Sequence, residues 1–136
     1  MAIINVRDLI KNYEANGLSI PALRSVSLSV KRGEFIAIAG PSGSGKTTLL
    51  NVIGGLDNPT SGRVDVGGID LTALSPRELS DMRLNRIGFI FQAYNLIPVL
   101  TAIENVEYIL LLQGVEKEVR RERSRRILEE VGLGGE

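Results

Sequence analysis

The stretch Phe35-Ile-Ala-Ile-Ala-Gly-Pro-Ser-Gly-Ser-Gly-Lys-Thr-Thr-Leu-Leu50 predicts, in order, a buried strand, a glycine-rich loop and the start of a helix. Residues 35–39 contain no polar side chain, as is typical of a strand that is covered on both faces. The residues after Gly45 carry leucines at helical spacing, and Gly54-Gly55 predicts the end of the helix. A strand, a loop and a helix in this order indicate an α/β fold that is organised around the loop.

The loop fits the pattern G-x-x-x-x-G-K-[ST], with Gly40, Gly45, Lys46 and Thr47 at the fixed positions. Residues without a Cβ let consecutive backbone N–H groups turn inward around a polyphosphate. Lys46 then contacts the β- and γ-phosphates, Thr47 holds Mg²⁺, and the positive end of the next helix faces the anion. An accidental glycine-rich turn is the alternative, which the flanking strand and helix disfavour. We call residues 40–48 the phosphate loop and predict that it binds a nucleotide through Gly40, Pro41, Ser42, Gly43, Ser44, Gly45, Lys46, Thr47 and Thr48.

Size and composition limit the remaining classes of protein. With 136 residues the chain is within the size of one domain, but it is short for most complete ATPases that use such a loop. The formal net charge of +0 gives no electrostatic footprint for nucleic acid, so nucleic acid is not an expected partner. Cysteine is absent, which excludes disulfides and is typical of a reducing compartment. The longest aliphatic run, residues 109–112, is too short to span a bilayer, so we expect a cytoplasmic protein.

The flanking segments predict an antiparallel sheet in addition to the buried strand. Tyr13 lies at a strand end, because the residues after it are turn-like. One strand alternates with period two and directs Val26, Leu28 and Val30 inward. The predicted strands are residues 3–9, residues 25–30, a hairpin over residues 63–71 around Gly67-Gly68, and a second buried strand over residues 87–91 that ends at Gln92.

The last third of the chain is predicted to be helical. It begins with a capping box formed by Thr101 and Glu104, and an earlier capping box, formed by Ser75 and Glu78, marks the start of a helix before the second buried strand. A further helix covers residues 117–131, with an inner side formed by Ser124, Ile127, Leu128 and Val131. The same helix contains five arginines, which are Arg120, Arg121, Arg123, Arg125 and Arg126. A phosphate-binding or membrane-surface role is one interpretation, but interspersed glutamates favour ion pairs on a solvated face.

Three stretches of the chain resemble the ATP-binding domain of ABC transporters, and in particular its lipoprotein-releasing and macrolide-exporting branch (LolD/MacB-like). They are residues 22–35, 40–57 and 87–98. The resemblance implies an α/β fold of the P-loop NTPase class, with an N-terminal antiparallel β subdomain, the start of a helical subdomain and an incomplete core sheet. It further implies a single partial domain over residues 1–136, in which residues 1–98 form the β subdomain and part of the P-loop core, and residues 99–136 begin the helical subdomain.

The resemblance also assigns roles to individual residues. The phosphate loop corresponds to the Walker A loop, with ATP and Mg²⁺ as the cofactors. Tyr13 corresponds to the aromatic residue that stacks on adenine. Lys46 and Gln92 correspond to catalytic residues, and Thr47 and Gln92 to residues that contact Mg²⁺. The position of Gln92 supports the same role independently of the resemblance, because a side-chain amide at a strand end can both donate and accept hydrogen bonds. From its position alone, a polar residue that only ends the strand, with its hydrogen bonds satisfied there, is an equal alternative.

The expected partners follow from the same resemblance. Residues 92–100 correspond to the region where the transmembrane subunits dock, and a second ATPase subunit completes a dimer. The protein is therefore expected at the inner face of the cell membrane as a peripheral subunit. It would couple ATP binding and hydrolysis to transport by the membrane subunits.

Several parts of a hydrolytic site of this family are absent from the sequence. No run of four apolar residues is followed by aspartate, histidine is absent, and a Leu-Ser-Gly-Gly signature does not occur. The alternative is therefore a truncated or split nucleotide-binding module without hydrolysis of its own, and we expect the isolated chain to be inactive. We also expect residues 35–39 and 89–91 to have an unpaired edge and an exposed apolar face. A small P-loop kinase or GTPase is disfavoured by Tyr13, by the two kinds of sheet and by Phe91-Gln92.

Overall fold

Four antiparallel strands form one sheet in the computed structural model, which describes residues 1–135. The strands are β1 (Ala2–Ala15), β2 (Leu18–Lys31), β3 (Ser61–Val66) and β4 (Ile69–Asp70), in the order β2-β1-β3-β4. The helices are α1 (Lys46–Ile53), α2 (Pro76–Arg86), α3 (Ala102–Leu112) and α4 (Lys117–Glu130), and a 3-10 turn covers Leu71–Ala73. The chain divides into two compact units, of which the first ends at Arg83 and the second begins at Leu84. The predicted subdivision between residues 98 and 99 stays a prediction.

The first two strands form a long hairpin around Asn16-Gly17. Both turn residues have positive φ angles, 52° for Asn16 and 75° for Gly17, as a two-residue hairpin turn of type I′ requires. Ala15 pairs with Leu18 across this turn, so β1 and β2 both extend well beyond the strands that the sequence pattern predicts. The residues Asn16-Gly17 therefore determine where the chain reverses. The alternation of apolar and polar residues predicts strands that are shorter than those observed.

A β-bulge at Asp8 explains why the period-two pattern of β1 is interrupted. Asp8 has a φ of 47°, and its N–H donates to the Ser27 hydroxyl at 2.9 Å. The pairing register with β2 shifts between Val6 and Leu9, which the bulge brings to the same face although they are three positions apart. Both side chains are fully buried. The bulge also directs the β1 backbone toward Gly62 of β3.

The core of the first unit lies between the sheet and α1. Leu49 and Val52 are the buried residues of α1, which packs against the first three strands of the sheet. Helix α1 ends at Ile53 with Gly54 as its C-cap, as the glycine pair in the sequence predicts. The second hairpin turns at Gly67-Gly68, again with positive φ angles of 58° and 83°, so the predicted two-glycine turn is confirmed.

The two predicted buried strands are not formed in the described part of the chain. Residues 35–39 and 87–91 have no strand assignment there, and Phe35 and Ile90 are fully exposed. An apolar run indicates burial, but a strand also needs neighbours to pair with, and residues 1–135 provide none for these two segments. The prediction of buried strands is wrong for this chain, whereas the expected exposure of their apolar side chains is confirmed except at Phe89, which is half-buried.

The second unit contains the helices α3 and α4. Thr101 and Glu104 form the predicted capping box, because the Glu104 N–H donates to the Thr101 hydroxyl at 3.2 Å and the Thr101 N–H donates to the Glu104 carboxylate at 3.3 Å. The buried residues of α4 are Ser124 and Leu128, whereas Ile127 is exposed. The predicted inner side of this helix is thus correct in part. Val131, the remaining member of that side, lies beyond the last helical residue and is exposed.

The arginines of α4 divide between two kinds of ion pair. Arg125 pairs with Glu122 at 2.8 Å on the exposed face, as the interspersed charges predict. Arg121 instead reaches Glu107 of α3 at 3.0 Å, and Glu107 is only 8% exposed. The guanidinium of Arg120 lies 3.8 Å from the same carboxylate. Charges at the α3–α4 contact therefore help to join the two helices, a role that the pattern of one helix alone does not reveal.

Candidate functional site

The phosphate loop lies between residues 35–39, which have no regular secondary structure, and the body of helix α1. Gly43 and Gly45 have φ angles of 82° and 93°, in the left-handed region that favours glycine. The Ser44 N–H donates to the Pro41 carbonyl at 3.2 Å and closes a turn inside the loop. The backbone therefore folds into the compact loop that the glycine spacing predicts.

Gly45 fixes the loop against the sheet. A Cβ at this position would lie 2.5 Å from the carbonyl oxygen of Ala22 and 3.1 Å from the Leu23 side chain, both in β2. A Cβ added at Gly43 would have no heavy atom within 4 Å. Glycine is therefore required here by the positive φ angle and not by close packing. Gly45 thus lets the loop approach β2 closely, and Gly43 provides the bend in the loop.

The N-terminus of α1 supplies backbone donors at the loop. The first hydrogen bond of the helix runs from the Leu49 N–H to the Gly45 carbonyl at 2.9 Å. The N–H groups of Lys46, Thr47 and Thr48 precede it and have no helical acceptor. No side chain caps this end of the helix. Unsatisfied N–H groups and the helix dipole together make such an end attractive to an anion.

The Lys46 ammonium lies over the loop that precedes it. Its Nζ atom donates to the carbonyl oxygens of Gly40 and Pro41 at 2.7 and 2.8 Å, and to the Ser44 hydroxyl at 3.3 Å. A lysine ammonium has three N–H donors, so these contacts account for all of them. The positive charge is thereby held at the loop.

These residues fit the polyphosphate of a nucleotide. The three free amides and the ammonium are hydrogen-bond donors, and phosphate oxygens are acceptors. Within residues 1–135, no group of three or more Asp, Glu, His or Cys residues is arranged to hold a metal ion. A magnesium ion at the loop would take a protein oxygen from a hydroxyl such as that of Thr47, which is exposed, and its other ligands from phosphate and water.

Tyr13 belongs to the same unit and is fixed on β1. It pairs with Ile20 of β2, and its side chain is partly exposed. The hydroxyl donates to the Asp57 carboxylate at 2.9 Å, and the Lys11 Nζ atom lies 5.0 Å from the centre of the ring. The sequence identifies Tyr13 but misses Lys11 and Asp57. Lys11 could have been found from the sequence, because side chains two positions apart in a strand project from the same face, as residues 11 and 13 do on β1.

Asp57 is held as a carboxylate by its neighbours. Burial by itself raises the pKa of Asp57, but hydrogen bonds from Lys11, Tyr13 and the Asn58 backbone outweigh it, so the pKa lies below the ordinary value. The Lys11 ammonium reaches this carboxylate at 3.0 Å and also donates to the Asn58 carbonyl at 2.6 Å. The side chain of Tyr13 therefore contacts an ion pair and does not stand alone.

Gln92 lies in the second unit, in a segment without helix or strand. Its side chain is exposed, and the nearby Phe89 and Phe91 rings stack with their centres 5.7 Å apart. The predicted strand end at this position is not present in the described residues. The proximity of Gln92 to Mg²⁺ and water stays a prediction.

The remainder of residues 92–100 is exposed and apolar at several positions, which are Tyr94, Leu96 and Val99. The side chain of Asn105 holds the end of this segment. Its Oδ1 atom accepts from the Ile97 N–H at 2.8 Å, and its Nδ2 atom donates to the carbonyls of Ile97 and Leu100, both at 3.2 Å. Sequence reasoning missed Asn105, because a polar residue inside a capped helix is ordinarily assigned to solvent.

Comparison with protein families identifies the chain. The family model described as ABC transporter matches residues 23–136. An ATP-binding protein of Thermotoga maritima is 45% identical over 132 residues, which cover 97% of this chain and 56% of that protein. The macrolide export ATP-binding/permease protein MacB of Marinobacter nauticus is 42% identical over 97% of this chain, which corresponds to 20% of MacB.

Solved structures agree with the sequence comparison. A dimeric structure of a post-hydrolysis state of the ATP-binding cassette MJ0796, bound to ADP and Pi, matches with a TM-score of 0.87 and 44% identity. The protein comes from Methanocaldococcus jannaschii, and the match covers 93% of this chain and 56% of that one. The chain thus spans about half the length of these ATP-binding relatives. In residues 1–135, no helix has the length and apolarity needed to cross a membrane. The chain belongs to the ABC transporter family and has the fold of its ATP-binding cassettes.

Proposed function

We propose that this chain binds Mg-ATP as part of the ATP-binding subunit of an ABC transporter. The observation that carries the proposal is the phosphate loop, in which the Lys46 ammonium contacts the loop carbonyls and the first N–H groups of α1 have no helical acceptor. Nothing in this loop is acidic, so an anion meets donors and no competing carboxylate. The family membership supports ATP as the nucleotide.

Each part of the loop then has a role toward the nucleotide. The free amides of Lys46, Thr47 and Thr48 bind phosphate oxygens, and Lys46 exchanges contacts with its own loop carbonyls for contacts with the β- and γ-phosphates. Thr47 contributes a hydroxyl to Mg²⁺, which neutralises phosphate charge when it is bound. The ring of Tyr13 stacks on adenine. Gln92 is proposed as the residue that orients the attacking water and contacts the metal.

The partners are proposed to be membrane subunits and a second ATP-binding subunit. MacB is an ATP-binding/permease protein, and the solved relative MJ0796 is dimeric, which supports both kinds of association. Residues 92–100 are the proposed contact for the membrane subunits, because three large side chains of this segment are exposed. In that assembly the protein would be peripheral at the cytoplasmic face of the membrane and would couple ATP hydrolysis to transport.

The second candidate is a nucleotide-binding module without hydrolysis of its own. It is favoured by the sequence, in which no run of four apolar residues is followed by aspartate and histidine is absent. Transfer of a phosphoryl group to water requires a positioned water and stabilisation of the developing charge. Gln92 is the one candidate in the sequence for the first task.

Incubation of the purified chain with Mg-ATP separates binding from hydrolysis. We expect nucleotide to be retained in equilibrium dialysis, while phosphate release does not exceed that of the Lys46→Ala variant, which controls for contaminating ATPases. Failure of the chain to retain nucleotide would contradict the proposed function. Clear phosphate release that the Lys46→Ala substitution abolishes would show that the chain hydrolyses ATP without further motifs.

A further inference from the structure

The ring of Tyr13 is fixed at two separate points. Its hydroxyl donates to Oδ2 of Asp57 at 2.9 Å, and the Lys11 Nζ atom lies over one face of the ring, 5.0 Å from its centre. Lys11 and Tyr13 are two positions apart on β1, so both project from the same side of the strand. The Lys11 ammonium therefore covers one face of the ring, and a nucleotide base can contact the opposite face.

Asp57 connects the two points. Its Oδ1 atom accepts from Lys11 at 3.0 Å while Oδ2 accepts from Tyr13. The side chain of Lys11 is only 14% exposed, and the Asn58 carbonyl accepts from it as well. Loss of Asp57 would therefore release the tyrosine hydroxyl and the cation at the same time.

Asp57 is in turn joined to the helix that begins in the phosphate loop. The N–H groups of Leu56 and Asp57 donate to the carbonyl of Asn51 in α1 at 2.8 and 3.3 Å. The eight residues of α1 span about 12 Å at 1.5 Å per residue. The phosphate loop is thus at one end of a short rigid element, and the anchor of Tyr13 is at the other.

We infer that Lys11 and Asp57 are positioning residues for the nucleotide base. They hold the ring of Tyr13 at a defined orientation, with one face free, and α1 relates this ring to the phosphate loop. The inference rests on the proposed function, because it concerns the base of the nucleotide whose phosphates that loop binds. Neither residue touches the nucleotide itself.

The test compares Mg-ATP with magnesium tripolyphosphate, which has the phosphates but no base. We expect Asp57→Ala to lower the affinity for Mg-ATP about 3- to 10-fold, because the Tyr13 ring, without its hydrogen bond to Asp57, must then be ordered when the base binds, and to leave the affinity for tripolyphosphate unchanged. Tyr13→Phe keeps the ring but loses the same bond, so we expect a loss of similar size. Asp65→Ala is the matched control, since Asp65 also pairs with a basic residue in the sheet, at 2.9 Å from Arg63. It should change neither affinity.

A double substitution distinguishes positioning from general destabilisation. In a Tyr13→Ala background, Asp57→Ala should have no further effect on Mg-ATP affinity, because the ring through which it acts is gone. An undiminished effect in that background would overturn the inference, as would an equal loss of tripolyphosphate affinity. Lys46→Ala reports on the proposed function separately. If it leaves both affinities unchanged, the phosphate loop is not the site and the proposed function fails before Asp57 is considered.

Discussion

Replacement of Lys46 by alanine is expected to lower the affinity for Mg-ATP about 10- to 100-fold. A hydrogen bond to a charged group contributes about 1.5–3 kcal/mol, and Lys46 is the one charged donor of the phosphate loop. Its Nζ atom already lies at the loop, where it contacts the carbonyls of Gly40 and Pro41. When a phosphate binds, the ammonium exchanges these carbonyl oxygens for phosphate oxygens.

Isothermal titration calorimetry with Mg-ATP measures this effect directly. Lys31→Ala is the matched control, because it removes the same charge from the end of β2, outside the phosphate loop. The control should bind Mg-ATP like the unmodified chain, which separates a local contact from the influence of net charge. Equal affinities for the Lys46→Ala variant and the unmodified chain would remove the loop from consideration as the binding site.

The substitution Gly62→Ala is expected to cause the largest loss of stability among the glycine positions. Gly62 has a φ of 93°, and a Cβ there would lie 2.4 Å from the Asp8 carbonyl oxygen and 2.7 Å from the Leu9 Cα atom. Both contacts are with backbone of β1 at its bulge, which cannot move away as a flexible side chain can. We expect a decrease of about 4 kcal/mol or more in the free energy of unfolding.

Gly68→Ala separates the two causes of this loss. Gly68 also has a positive φ, 83°, but its Cβ position has no heavy atom within 4 Å. Only the cost of the left-handed conformation, about 1–2 kcal/mol, should remain. Urea unfolding followed by circular dichroism compares the two variants. If both lose the same amount of stability, the close approach of β1 to Gly62 does not contribute.

Local sequence rules predict those features that depend on neighbouring residues. The bends at Gly43 and Gly45, the Asn16-Gly17 turn and the capping box at Thr101 each follow from a few consecutive residues, and the structure contains all of them. The reason is that glycine favours left-handed backbone, and threonine with glutamate three positions later favours a helix start, so residues close in sequence are sufficient.

Features that depend on distant residues were not predictable in the same way. Lys11 and Asp57 are far apart in sequence, and only the packing of α1 beside β1 brings their charges together. The bulge at Asp8 shifts the register of β1, and no glycine marks it. For residues 35–39 the apolar pattern is real, but a strand forms only if partner strands lie beside it.

The most direct test of the phosphate loop is a titration followed by the backbone amide resonances of the chain. With Mg-ATP, the ¹H–¹⁵N signals of Gly43, Gly45, Lys46 and Thr47 should shift together, and magnesium tripolyphosphate should shift the same signals. The signal of Tyr13 should respond to Mg-ATP alone, because only this ligand has a base. Shifts that leave the four phosphate-loop amides unchanged while other residues respond would contradict binding of the nucleotide at this loop.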